Sequence, residues 1–65
     1  MNRGGAIEIQ AGGLQGGDEL SIDGGQTFRR VARVARHRGR VTVYFTTPNA
    51  RAVSFNEDEI VKTKE

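Results

Sequence analysis

Every apolar segment of this chain is cut off by a turn signal within about a dozen residues, which leaves little room for anything but short strands. Ile7 and Ile9 alternate with Glu8 and Gln10. Leu20 and Ile22 alternate with Glu19, Ser21 and Asp23. "VTVYFTT" is the clearest strand: Val41, Val43 and Phe45 share one face, and Thr42, Tyr44 and Thr46 share the other. "AVSF" aligns Val53 with Phe55, and residues 60–64 close the chain as a last short strand. The punctuation between them is equally plain. "DGG" at 23–25 supplies the positive φ angles of a hairpin turn, "HRGR" at 37–40 reads as a hairpin loop, and "TPNAR" at 47–51 keeps Pro48 outside the strands. "AGGLQGGDE" at 11–19 reads as a mobile connection anchored by Leu14. Asn56 stands three residues before Glu59, a capping-box spacing that predicts one short helical turn near 56–59.

One segment reads two ways. Across residues 28–36, Phe28, Val31, Ala32, Val34 and Ala35 fall on one arc at helical spacing, with Thr27 as a cap and Gly39 as a stop. Against a helix, its first turn would set Arg29 and Arg30 at the positive end of the dipole. Against a flat strand, Val31 and Val34 are three apart and would point to opposite faces; a bulge or strong bend removes that conflict. The regular recurrence of strands around it favours a strand and an all-β fold. The expected core is Ile7, Ile9, Leu14, Leu20, Ile22, Phe28, Val31, Val34, Val41, Val43, Phe45, Val53, Phe55, Ile60 and Val61.

With 65 residues, the chain supports one small domain, expected over 6–65 with a disordered N-terminus at 1–5. There is no cysteine, so neither a disulfide nor a thiolate metal site adds stability, and a reducing cytoplasm is the expected setting. No segment has the apolar length of a membrane helix, so no membrane partner is expected. Homodimerisation through an open sheet edge would add stability to so small a core.

The succession "GDEL-x-I", "F-x-x-V-x-x-V", "VTVYF", "AVSF" and "DEIV", covering roughly Leu14 to Lys64, resembles an SH3-like small β-barrel of the Tudor or KOW kind. The resemblance implies a five- or six-stranded barrel acting as a binding module for nucleic acid or peptides, of a kind common in bacterial genomes. It implies no activity.

Charge is the strongest functional signal. Between Gly24 and Asn56 there are seven arginines and no Asp or Glu; the rest of the chain carries eight acids against three bases. Such asymmetry points to nucleic acid or to an acidic protein partner. Arginine outnumbers lysine eight to two, and the guanidinium fork suits phosphate. The candidate nucleic-acid site is Arg30, Arg33, Arg36, Arg38 and Arg40 on phosphates, with Tyr44 stacking on a base. Packed together without carboxylates, these arginines repel one another, so neutralising Arg33 and Arg36 is expected to leave the melting temperature unchanged or raised.

The other motifs have plainer readings. Glu57-Asp58-Glu59 lacks calcium-loop spacing and reads as helix-start chemistry. The glycines of 12–17 lead into neither a Walker nor a dinucleotide motif. His37, the sole histidine, has no evident acid or nucleophile beside it and reads as a loop residue. A Tudor-type aromatic cage would need several exposed rings, whereas Phe28, Phe45 and Phe55 are wanted for the core. The expectation is therefore a non-enzymatic module without metal or cofactor that binds DNA or RNA largely independently of sequence. The alternative is a protein-interaction module that docks an acidic partner or self-associates by a sheet edge.

Overall fold

The arginine-rich segment is a strand. In the computed structural model, which describes residues 6–64, it forms the nine-residue β3 (Arg29–His37) and pairs antiparallel with β4 (Arg40–Phe45). The expected disorder at 1–5 lies outside the described residues. Val31 pairs with Phe45 and Arg33 with Tyr44, so two β3 residues, Ala32 and Arg33, oppose one on β4. That bulge at Ala32 turns both Val31 and Val34 toward the core despite their three-residue spacing.

The remaining strands are β1 (Ala6–Gln10), β2 (Glu19–Ser21), β5 (Val53–Asn56) and β6 (Ile60–Lys64). All six form one antiparallel sheet in the order β1-β6-β2-β3-β4-β5. The fold is all-β, as the turn spacing predicts. No strand ladder joins β5 back to β1, so the sheet is open where a closed barrel was expected.

A 3-10 turn at Ala11–Gly13 bridges the gap between the two edges. It follows directly from β1, and its amides reach the turn that leaves β5. Ala11 N donates to Glu59 O at 2.8 Å, and Gly12 N to Glu57 O at 2.8 Å. Gly12 suits the closeness of this approach: a Cβ there would lie 3.1 Å from Glu57 O, which would have to give by a few tenths of an ångström. The segment expected to be a mobile connection is thus a structural joint, with Ala11 and Leu14 both fully buried. The helical turn expected at 56–59 is instead a tight turn. Glu59 N donates to Asn56 O at 3.0 Å, and Asn56 N donates to Glu59 Oε1 at 3.3 Å. β6 begins at Ile60, before a helix can propagate.

The core is Ala11, Leu14, Leu20, Val31, Val41, Val43 and Val61, with Ile9, Val34, Phe45, Val53 and Phe55 packed around it. Three expected core residues are exposed, each for a local reason: Ile7 (42%) sits on the edge strand, Ile22 (51%) lies just past β2 in the loop, and Ile60 (57%) pairs with Gln10 on the outward side of β6. The row they leave short is completed by Thr63, buried between Ile7 and Leu20.

The β2–β3 connection, residues 22–28, is organised by one carboxylate. Asp23 accepts from Thr27 Oγ1 (2.6 Å), Ser21 Oγ (2.8 Å), Thr27 N (3.0 Å) and Gln26 N (3.1 Å), while Gly24 and Gly25 take positive φ. The hydroxyl and amide of Thr27, then Ser21 and Gln26, hold the Asp23 carboxyl well below the usual carboxylate range, against a smaller opposing effect of burial.

Candidate nucleic-acid interface

Register determines which arginines share a surface. On β4, Val41 and Val43 are fully buried, so Arg40, Thr42 and Tyr44 face outward. Cross-strand partners lie on the same face, which gives three outward rows: Arg33 with Tyr44; Ala35, Thr42 and Ser54; and His37, Arg40 and Asn56. None of these rows contains a carboxylate.

The first row is a stack. The Arg33 guanidinium carbon lies 3.9 Å from the centroid of the Tyr44 ring, close enough for cation–π attraction. Arg33 is exposed and Tyr44 half-buried, so the guanidinium forms the outer layer. In the second row, Thr42 Oγ1 and Ser54 Oγ share a hydrogen bond of 3.0 Å. The third row leads into the hairpin tip. Arg38 (φ 51°) and Gly39 (φ 77°) both occupy the left-handed region, the signature of a two-residue type I′ turn. Arg38 is the one non-glycine residue with positive φ among the described residues, at a position where Asn, Asp or Gly is usual. The tip is tied down from behind, because Glu57 N donates to Gly39 O at 2.9 Å.

The other two candidate arginines are placed differently. Arg30 lies on β3 beyond the bulge, opposite Glu19, and its guanidinium is 3.8 Å from that carboxylate. Both side chains are well exposed, so the pair contributes little to stability. Arg36 pairs with the buried Val41, so the pleat places it on the core side at the end of the sheet. Its stem reaches past the core, and its head fastens the glycine loop. Arg36 Nε and Nη2 donate to Gly12 O at 3.2 and 3.0 Å, and Nη2 also donates to Leu14 O at 2.6 Å. Beside it, a shallow cleft of about 320 Å³ is lined by Gln10, Gly12, Arg36, Glu57 and Asp58.

The six candidates therefore do not form one patch. Arg33, Tyr44 and Arg40 share the outward face and Arg38 extends it at the tip. Arg30 sits beside Glu19, and Arg36 is held to backbone carbonyls. Sequence reasoning left out the Thr42–Ser54 hydroxyl pair and assigned His37 to a loop, whereas it ends β3 opposite Arg40. Internal pairing of the arginines with Glu57, Asp58 and Glu59 was the plainer alternative in the sequence, and the fold does set Glu57 and Asp58 around Arg36. Only cross-strand register could have revealed these placements. Among the described residues, no three His, Asp or Glu side chains gather where they could hold one metal ion, and no helix is long and apolar enough to cross a membrane. In comparisons with known proteins, no family model, no curated protein and no solved structure matches this chain.

Proposed function

We propose that this chain is a non-enzymatic β-module of the SH3-like, Tudor or KOW kind that binds nucleic acid through the outward face of β3 and β4, largely independently of sequence. The observation that carries the reading is the pair of outward rows, Arg33 with Tyr44 and His37 with Arg40, which contain no carboxylate and are extended by Arg38 at the hairpin tip, where the Glu57 carboxyl lies beside Gly39. Guanidinium groups arranged along a sheet present their forks to successive phosphates and fix orientation without reading bases. Arg30 adds a further contact once a phosphate competes with Glu19. Arg36 serves the fold, its guanidinium engaged by the Gly12 and Leu14 carbonyls.

A second reading rests on the two open sheet edges, β1 and β5. Either can accept an added strand, from a partner or from a second copy. The two readings separate by salt. Titration of labelled oligonucleotide should give a log–log slope of roughly −2 to −4 for three to four phosphate contacts. Neutralising Arg38 and Arg40 together should reduce that slope by about 1.5 to 2 and weaken all sequences alike. Undetectable binding at about 50 mM salt and high micromolar protein rules out the nucleic-acid reading and leaves edge pairing.

A further inference from the structure

Arg33 is set up for a task besides gripping phosphate with its edge. A guanidinium meets phosphate with its N–H edge, in plane, and meets an aromatic ring with its face. Here the Arg33 guanidinium carbon lies over the Tyr44 ring, 3.9 Å from its centroid, a separation that suits face-to-face stacking, and the side chain is exposed. The row beside it is small: Ala35, Thr42 and Ser54 bring no bulky side chain and no charge. The next row along β4 holds Arg40, four residues from Tyr44, or about 13 Å along the strand. A flat cationic platform, a low shelf with two hydroxyls, and then an arginine lie in line on one face.

We propose that this line is a binding track for single-stranded nucleic acid. One unpaired base stacks on the outer face of the Arg33 guanidinium, giving a base–guanidinium–tyrosine sandwich. The strand's backbone then passes over the Thr42–Ser54 shelf, and its phosphate meets Arg40. A paired base cannot take this position, because its faces are covered by its neighbours in the duplex. The platform therefore discriminates strandedness where the arginine charges alone do not. The inference rests on the nucleic-acid reading above and deepens it by naming the ligand's form.

The test uses the whole chain and three probes of equal length: an oligothymidylate, its abasic counterpart and a duplex. Tyr44 is the only tyrosine and there is no tryptophan, so intrinsic fluorescence reports on the stack directly. The oligothymidylate should bind at least about fivefold tighter than the abasic strand, the lower bound for stacking one base. Its binding should change the Tyr44 emission, whereas duplex binding should not. Arg33→Lys keeps the charge and removes the plane. It should bring the oligothymidylate and abasic affinities to within about twofold of each other. Equal binding of all three probes by the unaltered chain overturns the stacking track and leaves the phosphate reading standing. An oligothymidylate preference that survives in Arg33→Lys also overturns it. If none of the three probes binds, the nucleic-acid reading falls and this inference falls with it.

Discussion

Replacing Arg36 by alanine should destabilise the protein, which is opposite in sign to what charge counting predicts. The side chain makes three donor contacts to two backbone carbonyls, those of Gly12 and Leu14. Hydrogen bonds from a charged donor are worth about 1.5–3 kcal/mol when well shielded. Only the one to Leu14 O is partly buried; the two to Gly12 O share a single acceptor at the surface. A total near 2 kcal/mol is therefore expected, less whatever relief follows from removing one positive charge. In a domain of this size each kcal/mol moves the melting temperature by about 4–8 °C, so Arg36→Ala should melt roughly 8–16 °C lower. Arg36→Lys should recover less than half of that, because a single ammonium lacks the fork that spans two carbonyls. Arg33→Gln serves as the contrast. It gives up an exposed cation–π contact of about 0.5–1 kcal/mol and gains from reduced repulsion, so it should stay within about 0.5 kcal/mol of the parent. Thermal and urea unfolding followed by far-ultraviolet circular dichroism measure both, with an unchanged urea slope confirming that stability rather than denatured-state compactness has moved. An Arg36→Ala protein melting with the parent, or above it, would refute the clasp.

Three further outcomes follow from the same structure. Arg38→Asn should raise the melting temperature by about 2–8 °C, because Asn tolerates the left-handed conformation that costs other L-residues about 1–2 kcal/mol; a lowered value would mean that Arg38 makes stabilising contacts of its own. Leu20→Ala should cost about 2–5 kcal/mol and Thr42→Ala under about 1 kcal/mol, and equal melting of the two would overturn the assignment of inward and outward faces. Asp23 has its carboxyl pKa depressed in the folded protein, so its contribution is complete above the ordinary value of 3.8 and is lost as pH falls below it. The Gln26 and Thr27 amide shifts should therefore stay constant through pH 3.8 and move only in stronger acid, and Asp23→Asn should flatten the acid limb of the stability profile; a Thr27 amide titrating near the ordinary value would refute the depressed pKa.

The sequence alone determined the all-β class and the positions of most turns. Alternation and glycine chemistry are local properties, set by the two-residue pleat and by which residues accept positive φ. They marked "VTVYF" as β4 and a hairpin loop around Arg38 and Gly39. They left residues 28–36 open between a helix and a strand with a bulge or strong bend, and the pairing with β4 settles it as a bulged strand. Other features depended on which segments meet across long chain separations. The 3-10 turn at Ala11–Gly13 exists because Glu57 and Glu59 carbonyls arrive from the far end of the sheet to accept its amides. Ile7 and Ile22 alternate as core residues should, yet only the tertiary structure shows that they, like Ile60, stay largely exposed. The arginines show the limit most clearly. As letters they form one basic block, and any count assigns them one role. Pairing register divides them: Arg33 lies across Tyr44, Arg40 beside His37, Arg30 against Glu19, and Arg36 on the core side with its head on the Gly12 and Leu14 carbonyls. A one-residue shift in register moves a side chain to the other face of the sheet, so a basic residue's role is decided by the partner strand rather than by its neighbours in sequence.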